Sequence, residues 1–112
     1  MVNFAFDLNH REQVMNIKVE GMFTTQDAET YICEYKNNVS QIDTKKFEMI
    51  CDASKLKCTS PEVLPLLENS MYLYKNAGFK KIKVDMGKNK SIVKFQLIRA
   101  ADRIGFTNCE IF

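Results

Sequence analysis

Apolar and polar residues alternate along residues 2–9 and 79–86, and this two-residue period predicts β-strands. Three more strands are predicted at residues 14–20, which contain Val14, Ile17 and Val19, and at the short apolar segments 47–53 and 106–112. The polar turn at residues 9–12 separates the first two strands of the chain, so these strands are predicted to pair antiparallel. Three apolar residues follow one another at positions 49–51, which predicts a central strand buried on both faces. The predicted strands are residues 2–9, 14–20, 47–53, 79–86 and 106–112.

Between these strands the apolar spacing changes to the helical period, which predicts three helices. Thr24 and Asp27 have the spacing of a capping box at the start of the first helix. Gly78 and Gly105 are placed to end the second and third helices. The apolar stripes of the three helices run through Ala28–Ile42, Val63–Tyr74 and Ile92–Ile104.

The predicted order is therefore β-β-α-β-α-β-α-β. Strands that alternate with helices are joined by right-handed crossovers, which favours an α/β fold. We expect a mostly parallel sheet of about five strands covered by three main helices. The length of 112 residues predicts one domain that spans the chain, residues 1–112.

Composition is that of a globular protein, with 46% hydrophobic and 27% charged residues. Neither a secretory signal nor an apolar run long enough for a membrane helix is visible, so a cytoplasmic location is expected. Four cysteines without a C-x-x-C pair, and the single His10, disfavour a zinc site. Reduced and mostly buried thiols are the simpler expectation for Cys33, Cys51, Cys58 and Cys109.

Charge is distributed unevenly although the net charge is only +2. Residues 75–103 hold nine Lys or Arg and two acidic residues, while residues 1–74 have a net charge of −4. This basic region raises nucleic-acid binding as an alternative function. A solvated lysine-rich face is the more ordinary interpretation, since only Phe79 and Phe95 are available there for base stacking.

The carboxyl ends of the predicted parallel strands would share one edge of the sheet, where the next helices begin. Segments 21–25, 52–60 and 85–91 fall on this edge. Helix N-termini and lysines there would favour an anion or a partner's carboxylate, although the hydroxyl residues can equally serve as helix caps. The candidate anion-binding residues are Thr24, Thr25, Lys55, Lys57, Lys88, Lys90 and Ser91.

The stretch 50-ICDASKLKCTSPEVLPLLENS-70 contains the most distinctive chemistry of the chain. Ser60 before Pro61 has the pattern of a helix N-cap, but Pro65 indicates that the regular helix begins nearer to that residue. Asp52 at a strand end is typical of a turn-organising acceptor. Cys58 has no histidine placed to activate it, and no acid pair or phosphate-binding loop is discernible, so no catalytic residue is predicted.

Residues 50–84, together with the order of elements, resemble the STAS domain, which includes the bacterial anti-sigma factor antagonists. Asp52, Ala53 and Ser54 match the family's strand-end Asp and the hydroxyl residue two positions later. Where the family has its regulatory serine and a following glycine, this chain has Pro61 or Glu62 and no glycine.

The resemblance implies a non-enzymatic regulatory module, without a cofactor, that binds an anti-sigma-like protein or another regulator through the strand-end edge and the second helix. Nucleic-acid binding and small-molecule or lipid binding between sheet and helices are the alternatives. The candidate residues for partner binding or phosphorylation are Asp52, Ser54, Thr59, Ser60 and Glu62.

Overall fold

The chain forms an α/β fold with five strands and three α-helices, as the sequence predicts. The computed structural model describes residues 3–22, 24–57, 62, 64–87 and 92–112. The strands are β1 (Asn3–Asn9), β2 (Val14–Met22), β3 (Glu48–Lys57), β4 (Lys81–Asp85) and β5 (Cys109–Ile111). The helices are α1 (Thr25–Val39), α2 (Leu64–Ala77) and α3 (Ile92–Arg103), with a 3₁₀-helix, η1 (Thr44–Lys46), before β3.

The sheet is mixed, whereas a mostly parallel sheet was expected. Its strand order is β1-β2-β3-β4-β5. The β1–β2 pair is antiparallel because a short turn joins the two strands, and the other three pairs are parallel. The element order also gains η1, which Asp43 caps by accepting from the Lys45 amide.

All three helices contribute to one core on a single face of the sheet. Met15, Met49 and Ile82 occupy neighbouring strands in register and are completely buried. Ile50, on the opposite face of β3, is only half-buried, so the prediction that β3 is buried on both faces is wrong. The other face of the sheet is largely polar, as in sheets that are covered on one side only.

Tyrosine side chains join α1 and α2 inside this core. The hydroxyl groups of Tyr31 and Tyr74 lie 2.6 Å apart, and the Tyr35 ring stands edge-on to Tyr74 at 5.2 Å between centroids. Burial raises the pKa of all three phenols above its ordinary value, and it raises the pKa of the neighbouring Cys51 thiol to about 12. These groups therefore remain protonated and act as hydrogen-bonding members of the core.

The predicted ends of several elements shift in the structure. α1 stops at Val39 rather than Ile42, and β4 and β5 are shorter than predicted. α2 begins at Leu64 with Pro65 as its second residue, so the prediction that the helix begins near Pro65 is confirmed. Because the first amides of a helix have no partner within it, Pro65 costs no helical hydrogen bond there. Gly78 and Gly105, at φ of 79° and 70°, follow α2 and α3 as predicted.

The capping box at the start of α1 is formed as the sequence predicts. The Asp27 amide donates to Thr24 Oγ1 at 3.1 Å, and the Thr24 amide donates to Asp27 Oδ2 at 3.0 Å. Two amides that the helix cannot satisfy internally therefore gain partners.

Replacing Thr24 by alanine should lower the free energy of unfolding by about 1 kcal/mol, because one of the capping acceptors is lost. Thr25→Ala is the matched control, since this exposed neighbour lies inside the helix, and its effect should stay within about 0.5 kcal/mol. Urea unfolding followed by circular dichroism measures both. Equal effects of the two substitutions would contradict the capping role.

Candidate functional site

Asp52 holds a β-bulge in the middle of β3. Lys18 of β2 pairs with Asp52, but Glu20 pairs with Lys55, so β3 contains one residue more than β2 between these two points. The Ser54 amide and the Ser54 hydroxyl both donate to Asp52 Oδ1, at 3.1 Å and 2.6 Å. The carboxylate thus binds an amide at the place where the regular pairing is interrupted.

Electrostatics favour the charged form of Asp52. The Ser54 hydroxyl and amide, which donate to the carboxylate, hold the pKa of Asp52 below its ordinary value. The ammonium groups of Lys18 and Lys55 add a smaller effect in the same direction. Asp52 is therefore a structural anion that neighbouring donors and cations stabilise.

A second aspartate, at the end of β4, makes the same kind of hydrogen bond beside Asp52. Asp85 is the register partner of Asp52, and its Oδ1 accepts from the Gly87 amide at 2.7 Å. Gly87 has a φ of 66°, and a Cβ atom at that position would lie 2.8 Å from Ser54 Cβ. The D-x-S bulge of β3 and the D-x-G segment after β4 therefore pack directly on each other.

Past the Asp52–Asp85 pair, β2 and β3 remain paired with each other. The last pair between β3 and β4 is Asp52 with Asp85, whereas β2 and β3 stay paired as far as Met22 and Lys57. Segment 52–57 is therefore a strand, and the predicted end of this strand at residue 53 is wrong. The pairing with β2 and the burial of Leu56 explain why the strand continues. We call residues 20–22 and 55–57 the projecting ribbon.

The projecting ribbon presents both apolar and basic side chains. Met22 has 48% of its surface exposed. Lys55 is exposed and is the register partner of Glu20. Methionine is flexible and polarisable, and it is enriched at protein interfaces.

The structure brings some of the predicted site residues together. Asp52, Ser54 and Lys55 lie along β3, the backbone of Lys57 ends that strand, and Thr24 and Thr25 start α1 just after β2. Glu62 is exposed. The positions Thr59, Ser60, Lys88, Lys90 and Ser91 lie outside the described residues, as do Cys58 and Pro61.

At the start of α1, an aspartate side chain of the same helix already binds the groups that an anion would contact. Asp27 places its carboxylate on the Thr24 amide and hydroxyl, so a negative charge already occupies this end of the helix. At this helix start, the capping interpretation of Thr24 accounts for the geometry.

Segments 85–91 and 21–25 were expected at the strand-end edge, but Asp85, Gly87, Met22 and Lys18 were not predicted as individual site residues. The signal for the first two was the repetition of Asp-x-Ser and Asp-x-Gly after two buried apolar runs, at positions 52–54 and 85–87. No local pattern marks Lys18 or Met22, because their positions depend on the pairing of β2 with β3.

The basic region divides between the two layers of the molecule. Lys81 and Lys83 alternate with buried Ile82 and Val84, so they lie on the face of the sheet away from the helices, and Lys81 pairs with Glu110 at 2.9 Å. Arg99 and Arg103, in contrast, are exposed on α3 in the helical layer. These four cations therefore lie on two different layers of the molecule.

A small cavity of about 40 Å³ lies between the sheet and the helices, among Tyr31, Cys51, Ala53, Met71 and Leu97. It has room for water rather than for a cofactor-sized molecule. Among the residues that the structure describes, no cluster of three or more His, Cys, Asp or Glu side chains is arranged to hold a metal ion. In the same part of the chain, no helix has the length and apolar character needed to cross a membrane.

The thiols differ more in exposure than the sequence suggested. Cys51 is buried, Cys109 is half-buried and Cys33 is exposed, and all three are free. Burial raises the pKa of the Cys109 thiol to about 11. The expectation of a buried thiol is therefore wrong for Cys33, which lies on the outer side of α1.

Comparison with known proteins identifies the fold. No protein-family model and no curated protein matches this sequence. A solved structure does match, an uncharacterized protein from the DUF3478 family with a SpoIIAA-like fold from Shewanella loihica PV-4. The two chains are 15% identical, and the match covers 99% of this chain and 85% of the other with a TM-score of 0.64.

This chain has a SpoIIAA-like fold. The match confirms the STAS-like fold that the sequence indicated. At 15% identity it establishes the shared architecture and carries no statement about activity.

Gly87→Ala should destabilise the fold more than Gly105→Ala. Both glycines have positive φ, so both substitutions strain the backbone, but only at position 87 does the new methyl group meet another side chain. We expect the difference between the two variants to be about 1–3 kcal/mol in urea unfolding. Equal losses would show that Ser54 and Gly87 do not pack as described.

Asp52→Asn should lower stability by about 1 kcal/mol at neutral pH, because the amide oxygen still accepts from Ser54 but the charge is gone. The pKa of Asp52 is depressed in the folded state, so its contribution is present above the ordinary carboxyl value of about 3.9 and disappears as the pH falls through the lower folded value. Wild type and variant should therefore converge in acid. A difference that stays constant over the whole pH range of folding would contradict this assignment.

Proposed function

We propose that this chain is a non-enzymatic regulatory module that binds a protein partner through the projecting ribbon and the adjoining start of α2. The observation that carries the proposal is the exposure of Met22 and Lys55 where β2 and β3 stay paired past the last β3–β4 pair. The SpoIIAA-like fold and the STAS resemblance support a regulatory role of the anti-sigma antagonist kind.

The composition of the projecting ribbon fits a protein partner better than a small substrate. An exposed apolar side chain can be buried in a partner's pocket, while the charge of Lys55 can be matched by an acidic residue at the rim of the interface. Asp52 precedes the ribbon in β3, and its carboxylate accepts hydrogen bonds from the Ser54 amide and hydroxyl. It therefore acts as a structural anion rather than as a free acid or base. The chemistry of the ribbon is therefore recognition.

Ser54 is better suited to hold the bulge than to accept a phosphate. Its hydroxyl donates to Asp52 at 2.6 Å, and its Cβ lies against the backbone of Gly87. A phosphate on Ser54 would place two further negative charges beside the Asp52 carboxylate. Of the remaining candidates, Glu62 is exposed and is, with Pro61, one of the two residues that match the family's regulatory position; a glutamate there would supply a permanent negative charge.

We therefore propose that partner binding is constitutive in this chain rather than switched by phosphorylation at that position. Thr59 and Ser60 remain the candidates for a shifted acceptor. Phosphatase treatment of protein purified from its own host, followed by intact mass measurement and repeat capture of the partner, separates the two cases. A loss of mass that changes partner capture would replace the constitutive model by a switch.

Lys55→Glu should weaken capture of the partner from host lysate by about tenfold, which corresponds to about 1.4 kcal/mol. Lys45→Glu is the matched control, because this exposed lysine lies in η1 before β3, at the opposite end of the strand. Quantitative mass spectrometry of the captured proteins measures both variants against wild type.

A partner that is lost from Lys55→Glu and retained by Lys45→Glu supports the projecting ribbon as the docking element. A captured set that is identical for all three proteins, or equally reduced by both substitutions, would contradict it.

A further inference from the structure

The two edges of the sheet are protected to very different degrees. β5 is only three residues long, and its Glu110 pairs with Lys81, so this edge offers little to another strand. β1 is seven residues long and pairs with β2 along its whole length without a register shift. In the described part of the chain, no strand pairs with the outer edge of β1.

β1 also lacks the devices that usually prevent strands from pairing at an edge. Its sequence, NFAFDLN, contains no lysine and no proline, and Asp7 is its single charge. The register with β2 is regular, so no bulge turns this edge away from an incoming strand.

The core is incompletely covered along the same edge. Phe4, Phe6 and Leu8 point to the helical side of the sheet, yet each is only half-buried. The rings of Phe4 and Phe6 contact Tyr31 of α1, with centroids 5.8 Å and 5.4 Å apart. An apolar seam therefore runs beside a free strand edge, and a further strand with apolar residues on that side would cover it.

The sequence of β1 is its own complement in an antiparallel pair centred on Phe6. Phe6 then faces Phe6 of a second copy, and Phe4 faces Leu8, which extends the apolar seam across both chains. On the other face, Ala5 stands opposite Asp7, so the only charged side chain of the strand never faces its like. An unrelated acidic or polar strand would lack this match along both faces.

We propose that the outer edge of β1 binds β1 of a second copy of this chain. The two strands run antiparallel about a two-fold axis at Phe6, and the two sheets join into one continuous sheet with both helical layers on the same side. This surface is separate from the projecting ribbon, which lies at the carboxyl ends of β2 and β3.

Light scattering and sedimentation of the full chain over a range of concentrations test the association directly. The wild type should form a dimer. Ala5→Asp places an aspartate opposite Asp7 of the second copy, twice in each dimer, and should raise the dissociation constant about tenfold or more. Within its own chain, position 5 faces Lys18, so this substitution adds a favourable cross-strand pair and should leave the fold intact.

The double variant Ala5→Asp with Asp7→Lys provides the rescue, because the new carboxylate at position 5 then faces the new ammonium group at position 7 of the second copy, at both sites. Position 7 faces Asn16 within the chain, so no ionic pair of the monomer is broken. Recovery of the dimer by this variant supports the proposed register. A wild type that is monomeric at every concentration, a dimer insensitive to Ala5→Asp, or a double variant that stays dissociated would each overturn the proposal.

Discussion

The hydrogen bonds between the Asp52 carboxylate and Ser54 stabilise the end of the sheet where β3 leaves β4 and follows β2. By accepting from both the amide and the hydroxyl of Ser54, the carboxylate stabilises an extra residue in β3 without leaving a backbone donor unpaired. β3 can then leave β4 at the Asp52–Asp85 pair and still follow β2 to Lys57. Gly87 is part of the same constraint, because only a residue without a Cβ atom fits against Ser54 there.

The two faces of the sheet differ in composition because the helices cover only one of them. The buried side holds the apolar strand residues and the tyrosine pair that links α1 to α2. The open side is largely polar, and Lys81 pairs with Glu110 there. Both surfaces that we propose for binding lie at the borders of the sheet.

Much of the fold could be predicted from the sequence because the apolar period changes clearly at each element. The capping box of Thr24 and Asp27 and the glycines after α2 and α3 depend only on local geometry, so they too could be recognised. The STAS-like architecture followed from the same order of elements and from Asp52 and Ser54.

The errors arose where pairing between strands overrides local pattern. Ile50 belongs to an apolar triplet, but it faces the open side because the helices cover only the other face. The extension of β3 to Lys57 depends on β2 running alongside it, and this cannot be read from residues 52–57 alone. For the same reason, Met22 and Lys18 were not recognised as part of the site.

Amide hydrogen exchange followed by NMR reports whether the Asp52 bulge holds the projecting ribbon as a strand. We expect protected amides at Ser54 and Leu56 in the wild type. In Asp52→Ala, protection should fall at these two residues while it persists at Met49, on the other side of the bulge. Rapid exchange at Leu56 in the wild type, or protection there that Asp52→Ala leaves unchanged, would contradict this role of Asp52.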